Sequence, residues 1–146
     1  MGLAYRLTMP RRVANALITP LIRLGIGPRD AYLLTVAGRR SGRRYTTPVN
    51  LVRHEDERWL VAPYGERQWV KNARAAGSVE LRRGQTTHRA EVRELPPDDR
   101  AAILRAYVRA VPITKKFFDA GPDAPVEAFA AEAARHPVFR VAPPVR

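Results

Sequence analysis

The sequence predicts an α+β barrel of about six antiparallel strands with helices outside it. Three observations carry this. Short apolar runs are joined by brief polar turns, as in strands that pair through hairpins. One run, Thr86 to Leu95, sets Ala90, Val92 and His88 against Arg89, Glu91 and Arg93, the period of two expected of a half-buried strand. Stretches of helical period flank and interrupt these runs without alternating with them one for one. An antiparallel sheet removes its edges by closing. The βαβ alternation and early GxGxxG of a dinucleotide-binding sheet are absent, which argues against a nicotinamide coenzyme held in that way.

Taken in order, the first helical stretch starts near Pro10, with Val13, Leu17, Leu21 and Leu24 at helical spacing and Ile18 and Ile22 widening the stripe. Thr19-Pro20 reads as a cap and a first-turn proline, so two short helices can replace one. Gly25 and Gly27-Pro28 end it. Strands are expected at Ala31 to Val36, Thr46 to Arg53 and Arg58 to Pro63, with turns at Gly38 to Gly42 and Glu55-Asp56-Glu57, paired as a meander. A brief helix over Gln68 to Ala76 puts Trp69, Val70 and Ala73 on one side and stops at Gly77. Val79 to Arg82 and Thr86 to Leu95 make a second hairpin. Pro96-Pro97-Asp98-Asp99 opens a helix with Leu104, Tyr107, Val108 and Val111 inward, the acids lying at its positive end. A loop covers 112–125, then a helix Val126 to Ala134 and a closing strand Val138 to Val141. The expected organisation is one domain, 1–146, with 1–27 as an N-terminal helical segment.

The chain of 146 residues can bury one continuous core. It holds no cysteine, which removes disulfides, thiolate metal sites and a cysteine nucleophile. His54, His88 and His136 are scattered, without the spacing of a zinc site, so no metal is expected. No apolar run is long enough to span a membrane, and the amphipathic start does not resemble a secretory leader, so the expected location is the cytoplasm. The net charge of +12 favours an anionic partner. Only three of the basic residues are lysine, so part of that excess is an arginine-rich composition, and local clustering is the stronger signal.

Two segments concentrate chemistry. In Gly38 to Pro48, Arg39, Arg40, Arg43 and Arg44 fall within six residues between two strands. Guanidinium forks bind phosphate or carboxylate in pairs of hydrogen bonds, glycines let the backbone approach an anion, and Ser41, Thr46 and Thr47 add neutral donors. A solvated hairpin tip explains the same residues without a ligand. In Ala62 to Asn72 a strand ends in a glycine turn and a helix begins, offering free N–H groups to an anion. Trp69 fits a core position better than a stacking one.

Together, Leu33-Leu34-Thr35-Val36-Ala37-Gly38-Arg39-Arg40-Ser41-Gly42, Thr47-Pro48-Val49 and Trp69-Val70-Lys71-Asn72 resemble the deazaflavin-dependent nitroreductase family of actinobacteria. Gly77 to Leu81 and His136-Pro137-Val138-Phe139-Arg140 fit the same pattern, and the resemblance spans about Ala31 to Val141. It implies a split β-barrel and coenzyme F420, a deazaflavin with a phosphodiester and an oligoglutamate tail. By this resemblance Arg39, Arg40, Ser41, Gly42, Arg43 and Arg44 grip the phosphate and tail. Leu33, Leu34 and Thr35, with Thr47, Pro48 and Val49, line the site, and Trp69, Val70, Lys71 and Asn72 hold its far side. Arg67 replaces a basic residue usual before the short helix. The activity implied is hydride transfer from reduced F420 to a quinone, an enone or a nitro compound.

The chain departs from the family over the acceptor. Val111 to Phe118 has none of the pocket tyrosines, and Asn50 stands where a tyrosine is expected. Tyr64, Asn50 and Thr114 are therefore the candidate acceptor contacts. FMN in the same barrel, or an F420 carrier without turnover, are the alternatives, and a basic nucleic-acid-binding module is a weaker one because the aromatics do not interleave with the arginines. Nucleic acid is not the expected partner. A small-molecule electron acceptor is, and the basic-ended helix from Arg11 to Leu24 suits either barrel packing or peripheral contact with anionic lipid. Monomer and homodimer are both open.

Overall fold

The structure, a computed structural model, describes residues 30–143. The expected helices before Gly27 lie outside these residues. Six strands follow: β1 (Ala31–Ala37), β2 (Arg44–His54), β3 (Glu57–Val61), β4 (Ser78–Arg83), β5 (Thr86–Glu94) and β6 (Val138–Val141). Three helices accompany them: α1 (Gln68–Ala76), α2 (Ala101–Ala110) and α3 (Val126–Ala130). The strands close into a barrel in the order β1-β2-β3-β6-β5-β4, every pair antiparallel. The order corrects the expected meander at one point: β6, the last strand in the chain, inserts between β3 and β5.

The alternation of each strand separates two cores. Leu51 faces Leu60 across the β2–β3 ladder and both point into the barrel, with Leu34, Leu81 and Phe139. Their neighbours Val52 and Trp59 also face each other, but on the outside, where α2 covers them with Leu104, Tyr107 and Val108. Phe117, Phe118 and Phe129 complete that outer core. Both β2 and β3 are thus apolar on two faces over this length, which is why the period of two is weak there. Each fully buried leucine removes enough apolar surface to stabilise the fold by about 1.5–3 kcal/mol before entropy is counted.

α1 closes one mouth of the barrel. Its Trp69, Val70 and Ala73 join the inner core. Gly77 ends it in the left-handed conformation (φ 72°), its N–H donating to the Ala73 carbonyl at 2.8 Å. Three helical features differ from expectation. Pro97–Asp99 forms only a 3-10 turn before α2 starts at Ala101, and Pro112–Phe117 is a second 3-10 turn in the stretch expected to be a loop. α3 stops at Ala130 rather than Ala134, because the Glu132 carboxylate turns inward to accept from the backbone N–H groups of Asp119 and Ala120.

Candidate functional site

The β1–β2 connection brings its arginines to the same mouth that α1 closes. Gly38 N–H donates to the Arg43 carbonyl at 2.6 Å and Gly42 N–H to the Gly38 carbonyl at 2.9 Å, a tight loop in which Gly42 takes φ 73°. The Ser41 hydroxyl oxygen accepts from the Arg43 N–H. Gly38 is constrained differently: a Cβ there would lie 2.8 Å from the Tyr45 ring and 3.0 Å from Ser41 Oγ.

Arg39 joins the loop to the helix. Its backbone N–H (3.1 Å) and its Nη1 (2.8 Å) both donate to Asn72 Oδ1, and Nη1 also reaches Gln68 Oε1 at 3.0 Å. Asn72 is buried, and because its oxygen must face these donors, its NH₂ is the group left over. A cleft of about 710 Å³ lies between loop and helix, lined by Gly38, Arg39, Arg40, Ser41, Tyr45, Thr46 and Thr47 on one side and Glu66, Arg67, Gln68, Trp69 and Asn72 on the other.

Charge in the cleft is set by which arginines have carboxylate partners. Arg44 is paired with Glu80 at 2.6 Å, outside the lining. Among the described residues no carboxylate pairs with Arg39, Arg40 or Arg43. The one acid in the lining, Glu66, is held by Arg74 of α1 at 2.7 Å, and Arg74 also binds Glu94 at 2.6 Å. The hydrogen bonds that Arg74 donates to these two carboxylates push the pKa of its guanidinium further up, and Arg74 in turn holds the Glu94 carboxyl below the usual carboxylate range. The cleft therefore presents net positive charge, with its acid already neutralised. α1 adds the open N–H groups of its first turn, since Arg67 caps it without a side-chain hydrogen bond.

Of the residues read from the sequence, Arg39, Arg40, Ser41, Thr47, Arg67, Trp69 and Asn72 meet at this cleft. The others stand outside its lining. Leu33, Leu34 and Val70 are buried, Leu34 and Val70 in the barrel core, and the Thr35 hydroxyl bonds Thr46 across the ladder at 2.8 Å. Gly42 and Arg43 shape the loop, and Pro48, Val49 and Lys71 lie further along β2 and α1. Trp69 is both core and cleft wall.

The three acceptor candidates are not brought together. Asn50 pairs with Ala31, six residues down the ladder from the Ala37–Arg44 pair, which puts it roughly 20 Å from the arginine loop. The Thr114 hydroxyl is buried and donates to the Val111 carbonyl at 2.6 Å. Tyr64 is partly exposed, two residues before Glu66, with its ring edge-on to Phe117 at 4.7 Å. Sequence reading missed Tyr45, Glu66 and Gln68. Tyr45 could have been suspected, as the one aromatic beside the arginine run. Glu66 and Gln68 carry no signal until the loop and helix are seen side by side. Among the described residues no group of acids and histidines could hold a metal, and no helix is long and apolar enough to cross a membrane.

A family model of F420H(2)-dependent quinone reductases matches residues 10–126. The chain belongs to that family. It is an F420H2-dependent reductase, an oxidoreductase whose coenzyme is F420; the match points to F420 rather than FMN. No protein of curated function matches it. Among solved structures, an F420-H2 dependent reductase is 22% identical, with a TM-score of 0.55 over 80% of this chain and 96% of that one. A chain solved as a domain-swapped dimer is 20% identical (TM-score 0.55, 92% of this chain and 100% of that one). A NimC/NimA family protein of Clostridium acetobutylicum is 16% identical (TM-score 0.51, 77% and 73%). At these identities the likeness is one of fold, the split barrel.

Proposed function

We propose that the cleft between the arginine loop and α1 holds the anionic part of F420 and that the acceptor is a quinone. The observation that carries this is the guanidinium pair Arg39 and Arg40, unmatched by carboxylate, facing the open first turn of α1 across about 710 Å³. The donor chemistry fits the ligand: a phosphodiester and a run of carboxylates need several N–H and O–H donors, which Arg39, Arg40, Arg67, Ser41, Thr46 and Thr47 supply. When bound, F420H2 supplies the hydride.

The chain's own residues bind and orient. Arg39 is preorganised by Asn72 and Gln68, so little side-chain freedom is lost on meeting an anion. Trp69 and Tyr45 offer flat apolar surface at the cleft, and Trp69 closes the barrel behind it against water. Of the tyrosines, Tyr45 lines the cleft and Tyr64 lies two residues before Glu66; their hydroxyls can donate to an oxygen that gains negative charge, the role that a quinone carbonyl requires. Neither Asn50 nor Thr114 shares that position.

The test is a fluorescence titration with F420, FMN as the control. Arg39→Ala with Arg40→Ala is expected to weaken F420 by at least tenfold, since one charge-assisted contact is worth about 1.5–3 kcal/mol. Unchanged affinity in a folded double variant rejects the cleft as the anion site. Turnover with a nitro compound or an enone but with no quinone rejects the acceptor class.

A further inference from the structure

We propose that the 3-10 turn Pro112–Phe117 docks the enzyme on an anionic lipid bilayer, with Ile113 as the inserted tip and Arg109, Lys115 and Lys116 as a cationic ring around it. This rests on the quinone acceptor given above and adds where that acceptor is met.

The apolar part is a run of residues at the end of α2. Ala110, Pro112 and Ile113 are exposed and Val111 is half-buried. Ile113 is 74% exposed, more than any other large apolar side chain among the described residues. The turn itself holds it outward. The Thr114 N–H (3.0 Å) and hydroxyl (2.6 Å) both donate to the Val111 carbonyl, and Phe118 N–H donates to the Lys115 carbonyl at 3.1 Å. Thr114 and Phe117 are buried and take the inward positions of the turn. A lone exposed aliphatic residue is ordinary on a protein surface; what sets this one apart is the charge around it.

Arg109, Lys115 and Lys116 are exposed, and Arg105, one turn earlier on α2, shares a cleft of about 470 Å³ with Arg109. Among the described residues no carboxylate pairs with any of the four. Arg109 Nε donates to the Pro122 carbonyl at 2.8 Å, and Lys116 Nζ stands 5.4 Å from the centre of the Phe117 ring, contacts that leave both charges in place. Asp119 is bound by Arg135; Asp123 and Glu127, exposed further along, offset only part of the four charges. An apolar tip among cations supplies both terms of interfacial anchoring, area for the acyl boundary and charge for anionic headgroups. A nucleic acid would use the charge and leave Ile113 in water, and an apolar protein groove would take Ile113 and leave the lysines idle.

The turn also sits where a membrane substrate would need it. The Phe117 ring meets Tyr64 edge-on at 4.7 Å, and Tyr64 stands two residues before Glu66 of the cleft wall. The tip thus packs against the segment that leads into the coenzyme cleft. A quinone with a long apolar tail stays in the bilayer, because every methylene favours it, so a reductase held at the headgroups meets its acceptor there.

The full chain is sedimented with vesicles of phosphatidylcholine and phosphatidylglycerol in equal parts, and with phosphatidylcholine alone. The expected result is binding to the mixed vesicles that is at least about tenfold weaker on the neutral ones and is lost at high salt. Ile113→Ser with Lys115→Glu and Lys116→Glu changes only exposed side chains, so its F420 affinity should stay native. Its partition onto mixed vesicles should be at least about tenfold weaker. Its KM for a long-tailed quinone held in those vesicles should rise, with the kinetics on a water-soluble quinone lacking the tail within about twofold of native. Unchanged vesicle binding in this variant overturns the docking tip, and binding carried by Arg11 to Leu24 alone would give that result. A native chain that leaves the vesicles unbound overturns it too, including one that binds duplex DNA instead or forms a dimer lost in Ile113→Ser. The two readings fail separately: absence of turnover with every quinone sinks the acceptor, whereas unchanged vesicle binding with turnover intact sinks only the tip.

Discussion

At the scale of one residue, Asn72 explains how an arginine can be rigid yet still available. Its oxygen takes two bonds from Arg39, one from backbone and one from guanidinium, and carries no charge that would satisfy the guanidinium electrostatically. Asn72→Asp adds that charge and exchanges the NH₂ donor for a second acceptor oxygen. The aspartate pairs with Arg39, so the expected outcome is unchanged or raised thermal stability together with F420 affinity at least tenfold weaker, since one positive charge of the cleft is cancelled. Undiminished affinity would show that Arg39 does not face the coenzyme. Gly38→Ala tests the other side of the loop. The added methyl meets the end of an exposed tyrosine ring and the Ser41 hydroxyl, side-chain ends that can move aside, so stability should fall only slightly while the displaced Tyr45 and Ser41 alter the cleft and weaken binding. The arginine cluster was read from the sequence as a set of donors for an anion, and Asn72 as part of the far side of the site by resemblance. That Arg39 is the oriented member and Arg44 the one consumed by Glu80 was not, because the pairing of β1 with β4 brings Glu80, 36 positions away in the chain, beside Arg44.

At the scale of the element, α1 was read correctly to its end residues because its signals are local: a three-residue apolar face and a glycine that takes φ 72°. Gly77→Ala is expected to lower stability by roughly 1 kcal/mol, read as the urea midpoint, through the left-handed conformation alone. α3 was read four residues too long for the opposite reason. Its alanines favour helix throughout, and only the tertiary bonds of Glu132 end it. The element also controls cleft charge through Arg74. Arg74→Met frees Glu66, a lining acid, so F420 affinity should fall, and adding Glu66→Gln should restore most of it. Failure of the second change to rescue the first would mean that Arg74 acts by holding Glu94 and the helix rather than by neutralising the cleft.

At the scale of the molecule, the class of fold was visible in the strand runs, but the closure was not. β6 is four residues long, and nothing in Val138–Val141 says that it separates β3 from β5; only the need to bury Phe139 and Val141 inside and Val138 outside selects that slot. The assembled barrel then sets how stability varies with pH. Burial holds His136 and His88 below the ordinary histidine value of 6.5, the Arg58 charge adding to the effect at His88. A histidine lowered in the folded chain takes its proton more readily when unfolded, so the stability it contributes is whole above pH 6.5 and is lost as pH falls below that value. Glu94 has the same sign lower down. Its carboxyl is depressed by Arg74, so its contribution is whole above 4.5 and is lost as pH falls through the lowered value. Urea midpoints should therefore be level above neutrality, decline once between neutrality and about pH 5 and again more steeply below about pH 4. His136→Phe should shrink the first decline and leave the second, whereas Glu94→Gln should shrink only the second. A midpoint that rises between pH 7 and pH 5 in the native chain would mean that His136 gains its proton on folding, with both ring nitrogens donating, to Glu132 and to Pro63.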